Sequence, residues 1–127
     1  MTINHLNLTV SDPTETSAFL AKYFGLEPRG GNAGIQMLHD DQRMVLTLIK
    51  GRADDRDESA AAAGKPARVK YPSSFHIGFI VESRERVNQI HQQLRDDGIE
   101  ADAPAHLHGA WTFYFMAPGG FTIEVMG

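Results

Sequence analysis

The chain has no cysteine. That removes disulfides, thiolate metal sites and a cysteine nucleophile together, and it leaves any bound metal to nitrogen and oxygen ligands. A concentrated basic block is also missing. The 12 Lys and Arg are scattered and outnumbered by 16 Asp and Glu, giving a formal charge of -4. The positive stripe that a phosphate backbone requires is therefore absent, and nucleic acid is not expected as a partner. No window approaches the ~20 apolar residues of a membrane span. The opening residues show no basic start followed by an apolar stretch, so neither a membrane nor a secretory leader is expected and the location read from the sequence is cytoplasmic. What is present is ordinary globular usage, 42% hydrophobic and 22% charged over 127 residues, enough for a single domain with a real core.

The organisation is a repeat. One copy opens with His5-Leu6-Asn7-Leu8-Thr9-Val10 and the other with His76-Ile77-Gly78-Phe79-Ile80-Val81, each a strand of period two. Each strand leads into an amphipathic stretch and then a glycine with an apolar-acidic pair, Gly25-Leu26-Glu27 and Gly98-Ile99-Glu100. Asp12, with Pro13 and Glu15 behind it, reads as the start of the first helix. The second helix starts near Ser83 and carries Val87, Ile90 and Leu94 as its apolar stripe, with Gly98 as a left-handed stop. Further strands follow, Ile35 to His39 and Arg43 to Lys50 around a turn at Asp40-Asp41-Gln42, then Trp111 to Met116 and Phe121 to Met126 around Pro118-Gly119-Gly120. The division is a first module over 1–51, an exposed linker over 52–72 with a helical turn at Ala60 to Ala63, and a second module over 73–127.

Side chains alternate across a strand. Leu6, Leu8 and Val10 form one face of the first strand and leave His5, Asn7 and Thr9 on the other. Phe75, Ile77, Phe79 and Val81 leave Ser74, His76, Gly78 and Ile80, and Phe121, Ile123 and Val125 leave Thr122, Glu124 and Met126. A lone strand histidine is usually structural, and a lone glutamate is usually solvated. Two histidines at corresponding repeat positions, with a carboxylate on the same kind of face, make instead the facial set that suits Fe2+, Mn2+, Zn2+, Ni2+ or Co2+ and leaves positions open for water and substrate.

At these residues the chain resembles the vicinal oxygen chelate superfamily of glyoxalases, extradiol dioxygenases, fosfomycin-modifying transferases and bleomycin-binding proteins. The resemblance runs through Ile3-Asn4-His5-Leu6, Phe75-His76-Ile77, Phe113-Tyr114-Phe115 and Pro118-Gly119-Gly120-Phe121-Thr122-Ile123-Glu124-Val125. It implies an α+β fold of two βαβββ modules, cupped into a mixed, mostly antiparallel sheet, with His5, His76 and Glu124 as ligands of one divalent ion. Glyoxalase I-like members add a second carboxylate from the last strand of the first module. Here that place falls on Thr47 or Leu48, depending on register. The Asp-Pro-Asp-Gly common before the final strand is replaced by Ala117-Pro118-Gly119-Gly120. Fosfomycin transferases show threonine two residues after the first histidine, where this chain has Asn7, and basic residues after the glutamate, where it has Val125, Met126 and Gly127. An anionic phosphonate would therefore find little positive charge.

The function expected is a metal-dependent enzyme, dioxygenase or lyase/isomerase, acting on a small substrate chelated through adjacent oxygens. Glu124 and Tyr114 are the candidate catalytic groups, with Tyr114 donating to a bound oxygen. His39 and His108 are candidate proton carriers, His106 and His108 lie in an expected loop, and Asn7 and Thr122 are polar contacts. Trp111, Phe113 and Phe115 are read as a wall for an aromatic ligand, about half of them facing the core. The alternative is a non-catalytic protein that sequesters a bulky planar compound, as bleomycin-resistance proteins do. A homodimer is expected, since two half-cups can close within a chain or across a twofold axis.

Overall fold

The computed structural model describes residues 1–63 and 68–127, and the side chains of 60 and 61 are not described. The described chain forms two compact units, one comprising Met1–Tyr71 with Pro118–Gly120, the other Pro72–Ala117 with Phe121–Gly127.

In the first unit β1 (His5–Val10) leads into α1 (Pro13–Phe24), then β2 (Glu27–Asn32), β3 (Ile35–His39) and β4 (Val45–Lys50). The helix starts where expected, because the Asp12 carboxylate accepts the Glu15 backbone N–H at 2.9 Å and Pro13 occupies the first turn. It stops at Gly25, whose φ of 68° suits a residue without Cβ. The sheet order is β1-β4-β3-β2, with β1 parallel to β4 and the remaining pairs antiparallel. Phe19, Leu20 and Tyr23 of α1 are buried with Leu8, Val10, Leu38, Leu46 and Leu48. Each such side chain contributes about 1.5–3 kcal/mol relative to exposure.

Strand β4 begins at Val45 and not at Arg43, because Asp40 organises the preceding turn. Its carboxylate accepts the Met44 N–H at 2.8 Å, its carbonyl accepts the Arg43 N–H, and Arg43 takes a left-handed φ of 66°. Strand β2 was not legible as a strand. Its residues, Glu-Pro-Arg-Gly-Gly-Asn, are all exposed, and its pairing with β3 is interrupted by a bulge between Pro28 and Gly30. A Cβ at Gly31 would stand 2.1 Å from the Ile35 carbonyl oxygen, so that position has room only for glycine.

The stretch read as a linker holds structure where it is described. Residues 64–67 of it lie outside the described residues. A short 3-10 turn (Ala53–Asp55) precedes β5 (Arg56–Asp57), α2 (Glu58–Ala62) and β6 (Arg68–Val69), and β5 pairs with β6. Val69 is buried. The Tyr71 hydroxyl accepts the Thr9 N–H at 2.9 Å and donates to the Thr9 carbonyl at 2.7 Å, clasping the free edge of β1.

The second unit repeats the plan with β7 (His76–Ile80), α3 (Arg84–Asp96), β8 (Ala105–Leu107), β9 (Ala110–Met116) and β10 (Thr122–Met126). The order is β7-β10-β9-β8, with β7 parallel to β10 and the other pairs antiparallel. The Ser83 hydroxyl accepts the Arg86 N–H at 3.2 Å at the start of α3, and Gly98 follows the helix with φ 79°. Val87, Ile90 and Leu94 of α3 are buried, as are Phe113, Phe115, Phe121, Ile123 and Val125 of the second unit. The fold is therefore α+β, two βαβββ modules with a mixed sheet in each. Among the described residues no helix is long and apolar enough to cross a membrane.

Candidate metal centre

Glu124 lies in the middle of β10, the second strand of its sheet, and pairs with Gly78 on one side and Tyr114 on the other. Because Phe121, Ile123 and Val125 turn to the buried face, Glu124 must turn to the opposite one, where its side chain retains 12% exposure. That face is organised in three rows. His76, Thr122 and Met116 form one, Gly78, Glu124 and Tyr114 the next, and Ile80, Met126 and Thr112 the third.

The two carboxylate oxygens of Glu124 are in different situations. Oε1 accepts the Tyr114 hydroxyl at 2.5 Å and lies 3.2 Å from Thr112 Oγ1. Thr112 is fully buried and also donates to the Val125 carbonyl at 2.8 Å, so its single proton is shared between the backbone and the carboxylate. Oε2 faces His76 Nε2 at 3.4 Å. The other ring nitrogen, Nδ1–H, donates to the Ser74 carbonyl at 3.1 Å, which fixes the ring's orientation beside Oε2. The His76 ring also meets Tyr114 edge-on, with centroids 5.9 Å apart. The pKa of Tyr114 lies above that of a free phenol, first because its proton is held by Glu124, then through burial and the carboxylate's charge. Tyr114 is thus a proton donor at neutral pH.

His76, Glu124 and Tyr114 are thus brought together. His5 belongs to the other unit. It opens β1 beside Val45, exposed, with its Nδ1 2.7 Å from the Asn4 side-chain oxygen. Among the described residues there is no group of three or more His, Asp or Glu side chains placed to hold an ion. The register of the first sheet settles which residue stands in the place of a second carboxylate. Asn7 pairs with Thr47 as Gly78 pairs with Glu124, and Leu48 is buried on the opposite face. Thr47 is the counterpart of Glu124.

Several secondary expectations change. Trp111, Phe113 and Phe115 share one parity along β9 and all turn away from Glu124, toward α3. Trp111 donates its indole N–H to Asn88 at 2.9 Å and lies under Arg84, while Phe113 meets His91 edge-on. They brace the helix, so they form no wall for a ligand at Glu124. His106 is a strand residue of β8 against Trp111, whereas His108 occupies the following turn with φ 52°. The His39 ring is tied to the Asp40 carbonyl, with Glu27 3.6 Å away. Thr112 is a site residue that the sequence reading does not include. The signal for Thr112 was available, since a hydroxyl two residues from Tyr114 on the same strand must share its face.

A family model described as Glyoxalase/Bleomycin resistance protein/Dioxygenase superfamily matches residues 2–125. The chain belongs to that superfamily. Among solved structures, it is similar to a possible glyoxalase from Bacillus cereus, with 43% identity, 100% of this chain and 99% of that chain covered, and a TM-score of 0.83. It is also similar in fold to a lactoylglutathione lyase from Agrobacterium tumefaciens (20% identity, 98% and 92% covered, TM-score 0.71). The fosfomycin resistance protein FosX from Listeria monocytogenes, solved with Mn(II) and sulfate, is a further fold relative (17% identity, 99% and 89% covered, TM-score 0.74). No curated protein matches. For a member of the glyoxalase/bleomycin resistance/dioxygenase superfamily, the His76–Glu124 pair with its outer hydroxyl donors fits a divalent cation by donor type. It offers one borderline nitrogen, one hard oxygen and no sulfur.

Proposed function

We propose that this chain is a divalent-metal-dependent enzyme of the vicinal oxygen chelate type, a dioxygenase or a lyase/isomerase, acting on a small substrate through two adjacent oxygens. The observation that carries the reading is the asymmetry of Glu124. Tyr114 and Thr112 hold Oε1, and Oε2 is left beside His76 Nε2, 3.4 Å away. His76 and Glu124 would hold the ion, with His5 as the third ligand, supplied by the same chain or by a second copy in a homodimer. The ion, Fe2+, Mn2+, Zn2+ or Ni2+, would supply Lewis acidity toward the substrate oxygens. Tyr114 then serves as the proton-bearing donor beside the site, and Ser74 fixes the His76 ring through its carbonyl. A cytoplasmic setting belongs to the same reading.

Metal analysis of protein purified without chelator, together with its mass in solution, tests this. About one transition-metal ion per chain, lost in His5→Ala and in His76→Ala, is expected in a dimeric protein. A metal-free protein whose folding and ligand affinity are unchanged by both substitutions would instead be a sequestering binder of the bleomycin-resistance kind.

A further inference from the structure

Gly78 occupies the centre of β7 and pairs with Glu124. Its backbone does not call for glycine, since it is absent from the glycines with left-handed φ. Packing does not call for it either. A Cβ built there meets only Glu124 Oε2, at 3.6 Å, an ordinary van der Waals distance. Glycine weakens a strand interior, and with a regular β7–β10 register and neither conformation nor crowding requiring it, it marks a place where a ligand or another backbone comes close. The counterpart in the first sheet, Asn7, carries a side chain in the same register. Glycine leaves the space beside Oε2 clear, where a Cβ would already reach van der Waals contact with that oxygen.

The surroundings give the chemistry of whatever approaches. Strands β7, β9 and β10 contain no Lys or Arg. Beside the central row stand Ile80, 81% exposed, and Met116, 44% exposed. A substrate carboxylate or phosphonate placed here would lie near Glu124 with no cation on these strands to meet it, a costly unpaired charge. A hydrocarbon flank would instead remove Ile80 and Met116 from water.

We infer that the gap at Gly78 seats the body of the substrate, and that this body is uncharged and apolar, with no anionic group besides the oxygens that chelate the ion. The inference rests on the metal-dependent reading above. Its test uses the full-length protein loaded with Mn2+ under anaerobic conditions, with metal occupancy read by electron paramagnetic resonance. Calorimetric titrations then compare tert-butylcatechol with dihydroxybenzoate, which has the same chelating oxygens plus a carboxylate, each corrected for its affinity for free Mn2+. The apolar compound is expected to bind about tenfold or more tightly than the acid. Gly78→Val, titrated with Mn2+ kept at an occupancy matched to wild type by electron paramagnetic resonance, should weaken it by about tenfold or more. Gly78→Ala, whose Cβ fits at van der Waals distance, should weaken binding by less than Gly78→Val does and unfold at the same or a higher temperature. Equal or inverted preference between the two compounds overturns the substrate class. Unchanged affinity in Gly78→Val, or an equal loss in Gly78→Ala, overturns the role of the gap. Failure of the wild-type protein to bind Mn2+ overturns the metal-dependent reading itself.

Discussion

In the first sheet Asn7, two places after His5, pairs with Thr47, which pairs in turn with Met37. In the second, Gly78 follows His76 by the same two places and pairs with Glu124, which pairs with Tyr114. The backbones are matched in register, so backbone geometry cannot account for any chemical difference between them. Both sheets keep the histidine. The distinguishing equipment is the carboxylate and the two hydroxyls that hold one of its oxygens, and the first sheet has Thr47, Met37 and Ile35 in those three places.

The comparison can be broken most directly at its centre. Glu124→Gln is expected to weaken Mn2+ binding by more than about a hundredfold, since losing a ligand exceeds the 10–100-fold cost of losing an outer partner. Thr47→Ala at the corresponding place should change it by less than about twofold. Calorimetric titration of both variants decides, and similar losses in the two would mean that the sheets are not chemically distinct.

The next effect sharpens the same contrast. Thr112→Val and Tyr114→Phe each remove one restraint on Oε1 while keeping shape, and each should weaken Mn2+ binding by about tenfold. Met37→Leu, at the place matching Tyr114, should leave it unaltered. If Tyr114→Phe binds Mn2+ as wild type does, the phenol holds no ligand in place.

The smallest effect concerns stability and belongs to the first unit. Tyr71→Phe removes both hydrogen bonds to Thr9 and should cost about 1–2 kcal/mol in urea unfolding. Burial, the largest influence, holds the Tyr71 pKa above its ordinary value of 10.0, against the lowering effect of its bonds to Thr9. A raised folded value means that the unfolded chain loses this proton first as pH rises. The wild-type advantage should therefore be flat up to about pH 10 and shrink above it. An advantage that grows with alkalinity would contradict that assignment.

Much of this was legible before any coordinates. The helix starts at Asp12 and Ser83 and the stops at Gly25 and Gly98 are local chemistry, complete within four or five residues, and strand alternation placed Glu124 and His76 on the open faces. The second strand of each module was not legible. The Glu27–Asn32 run has none of the β-branched or aromatic residues that mark strands, and Ala105–Leu107 is too short to show a period. They are strands only because β3 and β9 offer them hydrogen-bonding partners. Alternation requires residues 111, 113 and 115 to share a face, so the expectation that about half of them face the core could not hold, and the contacts with α3 show which face it is. The asymmetric hold on Glu124 needed three dimensions, because Thr112 and Tyr114 reach it across strands.

Strand β2 also bears on how the protein survives at high concentration. A sheet that ends in a bare, regular ribbon invites its neighbours to continue it, and that is how fibrils grow. Here the margin is built from a proline lacking an N–H, a bulge that spoils the repeat and a glycine pressed against the opposing carbonyl. Molecules meeting at that rim find no template to copy, so the first sheet terminates instead of polymerising.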